Sequence, residues 1–128
     1  MNSREKADAL SREVIGVAIE VHRVLGPGLL ESAYAKCLEY DLTLRKIPFQ
    51  REVDLPLEYK GILLDCNYRI DLLVDDCLIV ELKTVEALLP IHEAQLLTYL
   101  RLKKLWLGLL INFKTDLLKN GIKRMVNG

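Results

Sequence analysis

The chain has 128 residues, the size of one ordinary domain. Apolar residues make up 51% and charged residues 28%, which excludes intrinsic disorder and allows a packed core. The formal net charge of zero argues against a strong, salt-sensitive, non-specific grip on nucleic acid, though it leaves room for a local basic surface.

Along residues 4–24, Ala9, Val14, Ala18, Val21 and Leu25 recur at three- and four-residue steps and predict a first helix. Gly26-Pro27-Gly28 breaks it, with Gly28 expected in a backbone conformation open mainly to glycine. A second helix is expected from near Leu29 to about Arg45, with Tyr34, Leu38 and Leu42 as its apolar stripe. After Ile47-Pro48 the period changes to two. Phe49, Arg51, Val53, Leu55 and Leu57 alternate as in a strand, and Pro56 marks an edge or a bulge. Lys60-Gly61 reads as a turn and 62–66 as a short strand. Two further strands, 68–74 and 77–83, are joined directly through Asp75-Asp76. The second of them is apolar until its end, as a central strand is. Pro90 precedes a third helix over about 91–103, with Ala94, Leu97 and Leu100 inward. The strand 106–112, a turn at Lys119-Asn120-Gly121 and a short strand 122–126 complete the order α-α-β-β-β-β-α-β-β, one α/β domain over 1–128 with a mixed sheet.

Cys37, Cys66 and Cys77 are odd in number and lack CxxC spacing. With no signal peptide in view, they predict a cytoplasmic setting and three small buried apolar side chains. No apolar run reaches the roughly 18 residues of a membrane span. Basic residues concentrate late, at Arg101, Lys103, Lys104, Lys114, Lys119, Lys123 and Arg124.

The chemistry centres on two strands. In Leu78-Ile79-Val80-Glu81-Leu82-Lys83 a strongly apolar run ends in two charges. Residues two apart on a strand face one side, so Glu81 and Lys83 share a face. An ion pair at a sheet end is the plain explanation. Asp71 adds weight to another, because Asp is depleted in strand interiors and here interrupts 68–74. A two-residue turn at Asp75-Asp76 pairs Asp71 with Val80, beside Glu81, and a small slip brings the carboxylates together. Two such carboxylates repel, and a hard divalent cation resolves the repulsion with oxygen ligands.

Asp71 followed ten residues on by Glu81-Leu82-Lys83 resembles the D…(D/E)XK signature of the PD-(D/E)XK nuclease superfamily, with Ile70 where the name-giving proline would stand. Gln95 to Tyr99 resembles the QxxxY motif of its RecB-like and lambda-exonuclease-like branch, and i, i+4 spacing sets those two on one helix face. Gly28, Glu31 and Tyr34 match the GxxExxY pattern of a small group within it. The resemblance covers roughly residues 10 to 115. It implies the restriction-endonuclease-like fold, a mixed central sheet flanked by helices, and one or two Mg²⁺ or Mn²⁺ ions.

On that resemblance Asp71, Glu81 and the Leu82 carbonyl ligate metal, Lys83 orients or activates the attacking water, and Glu31 adds a third acid. Glu31 also reads, less favoured, as an acid suited to a first helical turn. Gln95 and Tyr99 line the site or, more plainly, hydrogen-bond strand ends. Tyr34 is expected to pack between helix and sheet, and His92 to cap the third helix or face solvent. His22 either joins the metal site or is a partly buried structural histidine. The leading function is a metal-dependent phosphodiesterase acting on DNA or RNA, with no membrane role and a homodimer as an option. The alternatives are a non-catalytic nucleic-acid-binding or protein-assembly module on the same fold, and an enzyme for a smaller phosphate substrate.

Overall fold

In the computed structural model, which describes residues 1–128, the first helix, α1 (Ser3–Leu25), begins with a reciprocal cap. The Asn2 side chain accepts from the Glu5 N–H at 2.8 Å, and the Glu5 carboxylate reaches back to the Asn2 N–H. Its buried stripe is Ala7, Ser11, Val14, Val17, Ala18 and Val21; Ala9 is only half-buried and Leu25 is exposed. The helix ends at Gly26, whose φ of 76° suits glycine. The expectation placed that conformation on Gly28, but Gly28 keeps a φ outside the left-handed region. Helix α2 (Glu31–Leu44) buries the predicted Tyr34, Leu38 and Leu42.

Five strands form the main sheet in the order β1-β4-β5-β6-β7. They are β1 (Phe49–Asp54), β4 (Arg69–Val74), β5 (Leu78–Lys83), β6 (Leu107–Asn112) and β7 (Ile122–Val126). Only β5 and β6 run parallel, linked by helix α3 (Pro90–Lys103), as parallel neighbours require a crossover. The expected strand over 49–57 divides: β1 stops before Leu55-Pro56, and β2 (Leu57–Tyr59) pairs only with β3 (Ile62–Leu64) in a separate ribbon. Lys60 and Gly61, at φ 51° and 81°, make its turn.

Helices α1 and α2 cover one face of the sheet. Val14, Val17, Tyr34 and Leu38 pack there on Leu72, Val80, Leu82, Leu109 and Ile111. Helix α3 covers the other with Leu96, Tyr99 and Leu100 against Ile70, Ile79 and Leu110. The inward face of α3 is therefore rotated from the expected one, since Ala94 is exposed and Leu97 only half-buried. Gly108 explains the choice: a Cβ there would stand 2.9 Å from Leu96, so the missing side chain makes the notch that Leu96 fills. Strand β6 is buried along its whole length between these layers, which assigns its two apolar faces to the domain's own core rather than to a dimer seam.

Cys37 and Cys77 are half-buried, but Cys66 is exposed, contrary to expectation; it lies in the short link between the ribbon and β4, outside the layers. No helix is long and apolar enough to cross a membrane.

The chain after β6 folds into a 3₁₀ turn (Leu118–Gly121) pressed on the strand end, where a Cβ on Gly121 would lie 2.4 Å from the Asn112 carbonyl oxygen. Gly121→Ala is expected to lower stability by about 1–3 kcal/mol. The check is urea unfolding, where the midpoint should fall at constant slope; an unchanged midpoint would show that the turn yields freely.

Candidate active site

The β4–β5 hairpin places the acids. Its loop has three residues, Asp75-Asp76-Cys77, not the expected two, and Val74 pairs with Leu78. Asp75 and Asp76 both take positive φ, 47° and 56°, and the Cys77 N–H donates to the Val74 carbonyl at 3.1 Å. The register continues Leu73↔Ile79 and Leu72↔Val80, which sets Asp71 opposite Glu81 rather than beside it. No slip is required.

Beyond Leu72↔Val80 the regular ladder ends and side chains take over. The Asp71 N–H donates to Glu81 Oε2 at 2.7 Å, and the Leu82 N–H donates to Asp71 Oδ2 at 2.8 Å. Each carboxylate thus satisfies a main-chain donor next to the other carboxylate. The strand alternation breaks at the same place: Ile70 packs on the α3 side although Leu72 packs on the α1/α2 side. Glu52 stands across from Asp71 on β1, where the pairing skips from Arg51↔Leu72 to Val53↔Ile70, and it adopts φ 50°. A non-glycine residue in that conformation is held by its surroundings at some energetic cost, often at a functional site.

Glu81 is 5% exposed. Burial, reinforced by the Asp71 charge, pushes its carboxyl up to about 8, against the opposing pull of the Asp71 N–H and Lys83. Burial also raises Asp71, with the Leu82 N–H and Lys83 opposing. Both carboxyls therefore bind a proton more readily than ordinary carboxylates do.

Two cavities flank this fork. One of about 130 Å³, on the α2 side, is lined by Glu31, Glu52, Asp71 and Leu82, with Glu39 and Arg51 at 3.4 Å from each other. The other, about 490 Å³, lies on the α3 side and is lined by Lys83, Gln95 and Tyr99 with Tyr68, Ile91 and Leu57. Glu81 belongs to the α3 face with Ile79, and its charge, after burial, raises the Tyr99 phenol. Lys83 has no carboxylate within 4.0 Å, so the simple ion pair is absent.

The remaining candidates separate. Glu31 is the first residue of α2, shares the smaller cavity with Asp71, and makes no hydrogen bond to the helix end. His22 lies apart: its Nε2 is 2.7 Å from the Thr115 carbonyl, its ring lies near Phe113, and it lines neither cavity beside Asp71 and Lys83. Tyr34 is fully buried and stacked on Phe113 at 4.3 Å; its hydroxyl donates to the Gly26 carbonyl and accepts from the Leu29 N–H, tying down the loop before Glu31. The His92 Nδ1 accepts from the Leu89 N–H at 2.9 Å, capping α3.

Two contributors escaped sequence reasoning. Asn112 is buried beside Lys83 in the parallel register, and its amide clamps Val85 through both N–H and C=O. A polar residue ending an apolar strand was its only signal. Glu52 gave none, since its importance lies in backbone conformation.

A family model described as the PD-(D/E)XK nuclease superfamily matches residues 8–125. The chain belongs to the PD-(D/E)XK nuclease superfamily. No curated protein and no solved structure matches it significantly. The mixed five-stranded sheet between helices accords with the PD-(D/E)XK fold, and nucleases of this superfamily generally use divalent metal ions. The donor chemistry fits such an ion: buried Glu81 and half-buried Asp71 lie side by side across the hairpin, and desolvation raises the carboxyls of both. No group of three or more His, Cys, Asp or Glu residues is placed to hold a metal ion, so the candidate donors come down to the two carboxylates. An open set of one or two carboxylates suits Mg²⁺, which keeps several of its waters.

The raised Glu81 carboxyl has a sign that can be measured. Between its ordinary 4.5 and about 8 the folded state keeps a proton that the unfolded chain has released, so metal-free protein should lose stability as pH rises through that window. Glu81→Gln should flatten the dependence and be the more stable form at the alkaline end. Urea unfolding in chelator from about pH 5 to 9 tests this; parallel profiles for both proteins would contradict it.

Proposed function

We propose that this domain is a metal-dependent phosphodiesterase acting on DNA or RNA, with Asp71, Glu81 and the Leu82 carbonyl as metal ligands and Glu31 as a further acid on the cavity wall. The observation that carries the reading is the Asp71–Glu81 pair, opposed across two strands, with Glu81 accepting from the Asp71 N–H and Asp71 from the Leu82 N–H, beside an unpaired Lys83. The Leu82 carbonyl is a natural third ligand: within a strand N–H and C=O leave by the same edge, and the Leu82 N–H already points at Asp71. The Gly28-Glu31-Tyr34 and Gln95-Tyr99 spacings favour the GxxExxY group and the RecB-like branch.

A bound Mg²⁺ or Mn²⁺ supplies Lewis acidity toward phosphate and lowers the pKa of a coordinated water. The chain's own groups do the rest. The carboxylates hold the site in a fixed geometry because each is anchored to a main-chain N–H. The Lys83 main chain is fixed in β5, its carbonyl accepting from the Phe113 N–H at 2.9 Å, and its ammonium donates to a non-bridging phosphate oxygen or orients the attacking water. Tyr99 keeps its proton at neutral pH, its phenol being raised, and so donates; the Gln95 amide faces the same cavity.

One observation favours an assembly role as well. The β2–β3 ribbon exposes Tyr59, Ile62 and Leu63 outside the domain core, a surface that suits self-association.

The main test is cleavage of single-stranded and nicked DNA, RNA and nucleotides with Mg²⁺ or Mn²⁺. Glu81→Gln, Asp71→Asn and Lys83→Ala should each reduce the rate by roughly 100-fold or more with circular dichroism unchanged. Tyr99→Phe and Gln95→Ala should weaken cleavage less. No turnover on any substrate would transfer the fold to the assembly reading, and turnover of nucleotides alone would replace nucleic acid as substrate.

A further inference from the structure

A second cavity of about 490 Å³ lies at the opposite end of the parallel strands from Lys83. It is lined by Arg4 from α1, Arg101 and Lys104 from the end of α3, Trp106 before β6 and Cys77 before β5. The late run of basic residues is thus partly gathered here, joined by a cation from the far end of the chain. Arg4, Arg101 and Lys104 have no carboxylate within 4.0 Å. The nearby acids are committed elsewhere: Asp75 pairs with Lys6 at 3.1 Å, and Asp8 with Arg12 and Arg124. Asp76 is exposed and lines a different cavity.

Ordinary helix electrostatics accounts for only part of this cluster. Arg101 and Lys104 stand at a helix C-terminus, where cations are favoured. Arg4 stands in the first turn of α1, where a cation is disfavoured. It is held instead over the Trp106 ring at 5.3 Å, with Arg124 near the same ring at 5.4 Å. In a chain of zero net charge, three unpaired cations around one cavity form a local site for an anion.

We propose that this cavity binds the phosphodiester backbone of the nucleic acid whose scissile phosphate sits at Asp71, Glu81 and Lys83. The inference rests on the nucleic-acid reading of the acidic site. Cys77 and Lys83 bracket the buried central strand β5, six residues apart, so a path between the two sites over the surface is at least roughly 20 Å at about 3.3 Å per residue. Duplex phosphates repeat every 3.4 Å or so along the axis of each strand, so a substrate must extend at least about six nucleotides past the cleavage point to reach the cavity.

The test uses the full chain carrying Glu81→Gln and a fluorescent duplex of about 20 base pairs. Adding Arg101→Ala with Lys104→Ala, or separately Arg4→Glu, should weaken binding. Loss of two phosphate contacts should flatten the slope of log affinity against log salt by about 1.8. On the active background, the double change should raise KM for the long duplex, leave kcat intact, and leave a tetranucleotide unaffected. Unchanged affinity and salt slope in both variants, with folding verified by circular dichroism, would overturn the proposal. So would calorimetric binding of inorganic pyrophosphate that needs Arg101 and Lys104 while duplex binding does not, since that marks a small-anion site. Binding is read without turnover, so an inactive wild type that still binds through these cations refutes the catalytic reading alone.

Discussion

The site depends on one exchange: where β4 and β5 should continue their backbone ladder, the Asp71 and Glu81 side chains accept the main-chain N–H groups instead. That exchange has three consequences. It brings two carboxylates together in a buried place, which raises their proton affinity. It breaks the alternation of β4, so that Asp71 opens toward α2 while Glu81 stays on the α3 side. It also leaves the Leu82 backbone turned toward the acids. A hydrogen-bonded pair of this kind resists repacking, because removing either carboxylate orphans a buried N–H.

The surrounding scaffold fixes the groups that the pair cannot. Helix α2 starts at Glu31 because Tyr34, buried on Phe113, holds the preceding loop through Gly26 and Leu29. Helix α3 carries Gln95 and Tyr99 over Lys83 because Leu96 drops into the notch at Gly108. Asn112 clamps the chain leaving β5. Few of these supports are chemical groups in their own right. They are packing and hydrogen-bond constraints that convert a sheet end into a positioned set of oxygens and one free ammonium.

The extent to which the sequence disclosed this differs by kind of feature. The helices and the central strands were legible because their periods are strong and their breakers clear. Asp71, Glu81 and Lys83 stood out because charge inside apolar strands is costly. Their register did not, since one extra loop residue shifts the pairing and Cys77 looks like a strand residue rather than a turn residue. The α3 face was ambiguous because leucines at 96, 97, 100 and 102 offer two stripes, and a glycine on another element decides between them. His22 and Cys66 had side chains suited to more than one environment, so only tertiary contacts could assign them. Glu52 was invisible, because its contribution is a φ angle.

The central claim, that Asp71 and Glu81 form a divalent-cation centre, is tested most directly by a crystal structure of the protein soaked in Mn²⁺ and measured for anomalous scattering. The account predicts a peak touching the Asp71 and Glu81 carboxylates and the Leu82 carbonyl. A peak held by other residues, or none at saturating Mn²⁺ with both carboxylates still bonded only to the Asp71 and Leu82 N–H groups, would contradict it.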